Sequence, residues 1–245
     1  MVTAMRLSER IDVVNDEFTE RVKSTLLAQL PSLSTEILEW LVKEHYQFSF
    51  TNVELLGVAR DSTAKFANQG VATELQRNME EENGHAAMYR RAMRQIGTDV
   101  EERVEFLPTS DFFDKVRALS GSTPSRALGA LYATETAAIF EHQVFYEICK
   151  AICDRRDIAY QGSMIKKFHD IHLDEGVEQG HKDGLAAFVD VAEPDPAGTA
   201  GELIDSAELE QGAYDAIAAM KTWWDALLGE TVRLEARHQP SGSAP

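Results

Sequence analysis

Two segments far apart in the sequence pair a glutamate with a histidine three positions later. Glu82 precedes His85 and Glu178 precedes His181, and a carboxamide and a glycine separate the members of each pair. Residues i and i+3 share one face of an α-helix, so each segment would present a carboxylate beside an imidazole. First-row transition metals accept both groups as ligands. The repeated pattern therefore predicts a metal site, and its two glycines indicate crowding beside that site.

Two further glutamates occur in apolar stretches that helical periodicity would bury. Glu44 lies in the stripe of Leu41 and Phe48, and Glu141 follows Phe140 in a long apolar segment. A lone buried carboxylate is costly, but two divalent cations would neutralise four of them. Dinuclear carboxylate proteins surround two metals with four carboxylates and two histidines. We therefore expect Glu44 and Glu141 to join the two Glu–His pairs.

Glu135 competes with Glu141 for the position in the middle of the chain. Six residues separate the two glutamates, so their side chains point about 120° apart on a helix and one of them is expected to face the metals. Glu141 is favoured because its interval to Glu178 is close to the interval from Glu44 to Glu82. Glu135 stays open as the alternative.

Other polar residues near the two pairs are assigned by their helical offsets. Asp174 lies four residues before Glu178, on the same face, and is predicted to be a further ligand or a hydrogen-bond partner of one. Asn78, seven residues before His85, faces the same site. The remaining central histidines are expected to pack around the site rather than to bind metal: His45, His142, His169 and His172.

The elements that must position these residues are helices. Apolar residues recur at three- and four-residue intervals and alternating strand patterns are almost absent, which predicts an all-α class. We expect one compact bundle of about seven helices, with Ser34 as the N-cap of the second. The predicted domain covers residues 1–237, with a linker-like loop at 193–201 and a flexible tail at 238–245. The longer helices are expected to include residues 64–96, 125–153, 160–189 and 202–235.

Composition excludes several classes of partner. The chain has 245 residues, and 24 Lys and Arg against 41 Asp and Glu give a formal net charge of −17. Cations are not clustered, so nucleic acid and anionic membrane surfaces are excluded. No apolar segment is long enough for a transmembrane helix or a secretory signal, and we expect a cytoplasmic protein. Cys149 and Cys153 are expected to be unpaired thiols.

The residues around the predicted site resemble a known family. The run from Glu74 to Asn78 and the run from Glu81 to His85, followed by Tyr132 to Glu135 and then Glu141, resemble the heme-oxygenase-like diiron oxidases and oxygenases. The resemblance implies a seven-helix bundle without heme whose central helices hold two irons that activate dioxygen. It also implies oxidation of a small metabolite such as an amine, amino acid or fatty acid, by N-oxygenation, desaturation or oxidative carbon–carbon cleavage.

The resemblance implies two Fe(II) ions as cofactors and O2 as co-substrate. Many members have Glu seven residues before the first His, where this chain has Asn78, and His where this chain has Asp174. An aspartate there would give one metal a harder, oxygen-rich shell, so manganese is the alternative at that position. The implied metal ligands are Glu44, Glu82, His85, Glu141, Glu178 and His181, with Asp174 as a seventh.

Two other classes of function compete with this interpretation. A ferritin-like iron-handling or structural bundle would share the helices and the carboxylates. A metal-free hydrolase of the same fold, acting on thiamin-type compounds, would need a nucleophilic cysteine, and Cys149 and Cys153 are badly placed beyond Glu141. The favoured prediction is a homodimer that binds a small-molecule substrate.

Overall fold

Helices make up most of the described chain, which comprises residues 5–191 and 201–238 of this computed structural model. These residues contain no β-strand, and one isolated bridge joins Phe66 to Glu202. The all-α class and the single compact bundle are therefore confirmed. The α-helices of the described residues are α1 (Leu7–Gln29), α2 (Thr35–Thr63), α3 (Gly70–Glu82), α4 (His85–Gln95), α5 (Leu107–Ser120), α6 (Pro124–Arg155), α7 (Met164–Leu173), α8 (Val177–Val189) and α9 (Ser206–His238).

Two of the predicted helices are each interrupted at a glycine with a positive φ angle. Gly84, at φ 102°, separates α3 from α4, so the helix predicted over 64–96 is divided. Gly176, at φ 74°, separates α7 from α8 in the same way. Residues with a Cβ rarely adopt these angles, and glycine adopts them readily. The seven predicted helices thus occur as nine segments in the described part of the chain.

The expected crowding around the two matching glycines is not found. A Cβ built at Gly84 or at Gly180 would meet no heavy atom within 4 Å. Gly84 is instead required by its backbone conformation, whereas Gly180 lies within α8 with open space beside it.

The central helix is α6, most of whose residues are buried. Its buried side chains extend from Pro124 to Cys153, and it packs against α2, α7, α8 and α9. Two glycines allow the backbones of α6 and α9 to approach closely. A Cβ at Gly129 would lie 2.0 Å from the carbonyl oxygen of Leu209, and one at Gly212 would lie 2.3 Å from that of Arg126. This contact fixes the position of α6 against α9.

The ends of the helices follow local sequence signals. The predicted N-cap Ser34 is confirmed, because its side chain accepts a hydrogen bond from the backbone N–H of Ile37.

None of the described helices is long and apolar enough to cross a lipid bilayer. The loop predicted at 193–201 and the tail predicted at 238–245 lie almost wholly outside the described residues.

Candidate metal centre

The two Glu–His pairs of the sequence meet inside the bundle. Glu82 ends α3 and His85 begins α4, and Oε2 of Glu82 lies 3.1 Å from Nδ1 of His85. Glu178 and His181 lie in the first turns of α8, with Oε2 of Glu178 3.8 Å from Nδ1 of His181. Ligand atoms of Glu82, Glu178 and His181 lie within 4.8 Å of one another. The structure therefore brings the two segments together.

The central helix α6 adds one carboxylate and one imidazole to these pairs. Glu135 and His142 are seven residues apart and so share a face of α6. Oε2 of Glu135 lies 3.0 Å from Nδ1 of His181, and Nε2 of His142 lies 3.3 Å from Oε1 of Glu178. Both side chains are buried.

The short helix α7 contributes His172 in a defined tautomer. Nδ1 of His172 lies 2.6 Å from the carbonyl oxygen of Phe168. Because a carbonyl can only accept, Nδ1 carries the proton and Nε2 keeps its lone pair. That Nε2 lies 3.1 Å from Nδ1 of His85 and 3.9 Å from Oε1 of Glu178. Metal-binding imidazoles commonly have this arrangement, with the other ring nitrogen donating to a backbone carbonyl.

These side chains form three overlapping groups in which the ligand atoms lie within 4.8 Å of one another. Glu82, His172 and Glu178 each belong to two of the groups, as expected where two ions share ligands. The groups are Glu82–His85–His172, His142–His172–Glu178 and Glu82–Glu178–His181. With Glu135, which contacts His181, we refer to these residues as the Glu/His cluster: Glu82, His85, Glu135, His142, His172, Glu178 and His181.

Unpaired buried atoms indicate that this cluster fits metal ions. Oε1 of Glu82, Oε1 of Glu135 and Nδ1 of His142 are buried without a hydrogen-bond partner, as are both amide atoms of Asn78. A buried carboxylate oxygen with no donor is costly. Three carboxylates and four imidazoles form a donor set that suits divalent transition metals such as iron and manganese. The residues present therefore fit a pair of such ions.

Without metal, a histidine supplies the cation that the carboxylates require. Burial favours neutral imidazole, yet the hydrogen bond to Glu135 and the charge of nearby Glu178 outweigh it and raise the pKa of His181 to about 11. Burial also opposes ionised Glu178, but the neighbouring imidazoles of His142 and His181 lower its pKa well below the usual range. By contrast, burial, reinforced by His142, lowers the pKa of His172 to about 3. His181 must therefore release a proton before it can bind metal, whereas His172 is neutral already.

Glu44 is buried as expected, but it does not reach the cluster. Nε and Nη2 of Arg103 each donate to it over 2.9 Å, and Oγ1 of Thr109 donates to its Oε2 over 2.6 Å. A bidentate guanidinium satisfies both carboxylate oxygens, so burial of Glu44 needs no metal. The expectation that Glu44 faces the metals is therefore corrected. Glu44 instead forms a buried ion pair that joins α2 to the segment before α5.

Glu141 lies beside the cluster without joining it. Its Oε1 accepts a hydrogen bond from Nε1 of Trp224 over 3.0 Å, and its Oε2 lies 3.6 Å from Nε2 of His45. Burial raises the pKa of Glu141 to about 8. Of the two glutamates of α6, the structure brings Glu135 to the cluster, so the preference for Glu141 is corrected. The similar intervals from Glu44 to Glu82 and from Glu141 to Glu178 suggested equivalent positions. The two halves of the chain are not equivalent, because α2 directs Glu44 away from the cluster.

Asp174 lies on the surface, away from the cluster. It is the exposed C-cap residue of α7, which ends at Leu173. Gly176 then redirects the chain, so the interval of four residues to Glu178 no longer places both side chains on one helical face. The expectation that Asp174 supports the metals is therefore corrected. His172 occupies the position that was expected for Asp174.

The sequence prediction did not assign three of the residues that lie at the cluster to it. His142 follows Glu135 by seven residues, and this interval on one helix is the sequence signal for it. His172 had none, since its position depends on the break between α7 and α8. Glu81 had none either; its Oε2 lies 3.0 Å from Nε2 of His181, and its side chain is 41% exposed.

Several solved structures share this fold over most of their length. A CADD-like protein of unknown function from Nostoc punctiforme has a TM-score of 0.70 at 22% identity, covering 89% of this chain and 98% of that one. A TenA homologue from Pseudomonas syringae has a TM-score of 0.64 at 16% identity, covering 92% and 96%. A protein of unknown function from Shewanella denitrificans, described as having a heme oxygenase-like fold, has a TM-score of 0.63 at 15% identity, covering 98% and 95%. These likenesses show that the fold is heme-oxygenase-like.

A family match extends over the same helices. No curated protein matches the sequence significantly. One family model matches residues 16–230, a range that contains every member of the Glu/His cluster. The chain therefore belongs to the family described as "Domain of Unknown Function with solved-structure structure (DUF3865)".

Proposed function

We propose that this protein is an O2-dependent oxidoreductase in which the Glu/His cluster holds two Fe(II) ions and O2 is the oxidant of a small metabolite. The observation that carries the proposal is the cluster itself. Three buried carboxylates and four imidazoles converge there, and Oε1 of Glu82 and of Glu135 have no other partner. When bound, two ferrous ions would supply electrons and open coordination positions for the reduction of dioxygen.

The residues of the cluster have distinct parts in holding the ions. Glu82 and Glu178, each shared by two ligand groups, would help to hold the ions. The carbonyl of Phe168 orients His172 so that its Nε2 lone pair points into the cluster. Because His172 takes the place expected of Asp174, the donor set is richer in nitrogen than predicted. We therefore propose iron at both positions, with manganese as its competitor.

The surroundings of the cluster bear on how substrate and water reach it. The side chain of His85 is 16% exposed, whereas those of His142, Glu178 and His181 are at most 8% exposed. The ring of Phe168 packs beside His85, His142 and His172, with ring centroids 4.4–6.3 Å apart. In this proposal the small-molecule substrate approaches from the side of His85, and the ring of Phe168 shields the imidazoles beside it from water. The substrate class is the one implied by the sequence resemblance: an amine, an amino acid or a fatty acid.

The first test compares the two glutamates of α6. Wild type, Glu135→Gln and Glu141→Gln are titrated anaerobically with Fe(II), and the iron bound per chain is measured after gel filtration. We expect about two irons in wild type and in Glu141→Gln, and the loss of at least one in Glu135→Gln. Unchanged iron content in Glu135→Gln and in a Glu178→Ala/His181→Ala variant would overturn the proposal.

Exposure of the iron-loaded protein to O2 separates an oxygenase from an iron-handling protein. An oxidoreductase should consume O2 in proportion to its two bound irons and elute as a small oligomer such as a dimer. Oxidation of many irons per chain without organic substrate, in a protein that elutes as a large shell, would instead establish iron storage.

A further inference from the structure

The two glutamates that do not join the Glu/His cluster both connect to a tandem pair of tryptophans on α9. Trp223 and Trp224 are 1% and 0% exposed. Nε1 of Trp224 donates to Oε1 of Glu141 over 3.0 Å. Nε1 of Trp223 donates over 2.9 Å to Oγ1 of Thr109, which donates in turn to Glu44. The indole of Trp224 is therefore fixed directly by a buried glutamate, and that of Trp223 is fixed through Thr109.

An uninterrupted series of rings joins the cluster to Trp224. The ring centroid of His142, a member of the cluster, lies 6.0 Å from that of His45. His45 stacks on Phe145, with centroids 3.7 Å apart and an angle of 13° between the planes. Phe145 lies 6.0 Å from Trp224. Direct contact between rings of this kind provides the electronic coupling that long-range electron transfer requires.

The series continues outward from Trp224 to the molecular surface. The centroids of Trp224 and Trp223 are 5.5 Å apart. Trp223 stacks on Phe112 with centroids 4.6 Å apart and an angle of 3° between the planes. Both Trp223 and Phe112 line a groove of about 410 Å³ between α5 and α9, together with Lys115. Indole is among the most easily oxidised side chains, and here two indoles occupy the middle of a path between the cluster and this groove.

We propose that Trp224 and Trp223 carry single electrons between the Glu/His cluster and the surface groove. This inference rests on the proposed function, because it requires a redox-active metal in the cluster. One electron passes from Trp224 to the oxidised metal centre, Trp223 returns one electron to Trp224, and a one-electron reductant in solution returns one to Trp223. No bond forms or breaks, and the N–H proton of each indole stays on its nitrogen. The hydrogen bond to Glu141 stabilises the positive charge that Trp224 carries in between.

The test places an oxidant at the outer end of the path. Lys115→Cys is labelled with a ruthenium polypyridyl complex in the full chain loaded with Fe(II) under anaerobic conditions. A laser flash excites the ruthenium, and an added diffusible electron acceptor takes one electron from it, leaving oxidised ruthenium. Electron return to ruthenium is followed by transient absorption. We expect Trp223→Phe and Trp224→Phe to slow this return at least about tenfold, which corresponds to about 1.4 kcal/mol of barrier.

The third tryptophan of the chain provides a matched control. Trp40, on α2, packs against Phe106 and lies outside the path. Trp40→Phe should leave the rate of electron return unchanged. Equal rates in all three Trp→Phe variants, with iron content and thermal unfolding unaltered, would overturn the proposal.

Labelled protein without iron separates this inference from the proposed function. In the iron-free protein the oxidised ruthenium should take an electron from the tandem tryptophans. The resulting tryptophan radical should give a signal in electron paramagnetic resonance. The signal should persist in Trp40→Phe and disappear in the Trp223→Phe/Trp224→Phe double variant. If wild type binds no iron, the proposed function fails, and a signal retained in the double variant overturns the electron path on its own.

Discussion

Five buried glutamates in the described part of the chain differ in the group that contacts their carboxyl oxygens. Glu82, Glu135 and Glu178 contact imidazoles of the Glu/His cluster. Glu44 pairs with the guanidinium of Arg103, and Glu141 accepts the N–H of Trp224. At the scale of single residues, burial alone therefore does not identify a metal ligand, and the neighbouring donor does. This distinction can be tested at Glu44.

Glu44→Gln is expected to destabilise the protein without removing its iron. The substitution leaves the guanidinium of Arg103, whose side chain is 16% exposed, without its carboxylate partner. Breaking one side of a buried ion pair costs about 3–5 kcal/mol, and urea unfolding should show a loss of that order. Glu54→Gln is the control: it breaks the exposed pair with Arg117 and should cost less than about 1 kcal/mol. Loss of iron with unchanged stability in Glu44→Gln would restore Glu44 as a ligand.

At the scale of helices, the breaks at two glycines decide which side chains meet. Gly84 turns the chain between Glu82 and His85, and Gly176 turns it between His172 and Glu178. Without these turns, two continuous helices would carry the same residues along straight axes. The shared Glu-x-Gly-His pattern thus hides a difference, because Gly84 lies at a break and Gly180 lies inside a helix.

Alanine at the two glycines should therefore have opposite effects on stability. Gly84→Ala forces a Cβ into a left-handed conformation and should lower the free energy of unfolding by about 1–2 kcal/mol. Gly180→Ala adds a methyl group where no atom lies within 4 Å and should raise it by up to about 1 kcal/mol. Thermal unfolding of the metal-free variants measures both. Equal destabilisation by the two substitutions would contradict the difference between their conformations.

At the scale of the whole molecule, the cluster connects segments from much of the chain. Its residues come from α3, α4, α6, α7 and α8, so ions bound there would hold together helices that are separated in sequence. Ions that bind the folded chain and not the unfolded one raise its free energy of unfolding, by an amount that grows with the logarithm of the free ion concentration above the dissociation constant.

Metal binding should accordingly raise the melting temperature of wild type. At a free ion concentration a hundred times the dissociation constant, one ion adds about 2.7 kcal/mol. Anaerobic Fe(II) or redox-stable Mn(II) should therefore increase Tm in calorimetry, and a chelator should reverse the increase. Glu135→Gln should show a reduced shift, whereas Glu141→Gln should match wild type. A shift of equal size in both variants would mean that the stabilising ions bind elsewhere.

The sequence was informative where chemistry depends on local spacing. The all-α class followed from periodicity, and Glu178 and His181 come together because three residues span about one helical turn. Glu82 and His85 meet instead across the break at Gly84. Glu44, Glu141 and Asp174 were assigned wrongly for a common physical reason. The partners of Glu44 and Glu141 are Arg103 and Trp224, which are far away in sequence. The position of Asp174 depends on the turn at Gly176, which is a matter of backbone conformation. Spacing within one helix carries no information about such partners.

The close contact between α6 and α9 has a consequence for the precision of the cluster. Glu135 follows Gly129 by six residues, about 9 Å along the helix axis. Because the backbones touch at Gly129 and Gly212, α6 can neither slide nor tilt toward α9 without a steric clash. The contact at these glycines therefore determines how far Glu135 and His142 extend into the cluster. The alignment of the candidate ligands is thus maintained from a distance, by two residues that have no side chain.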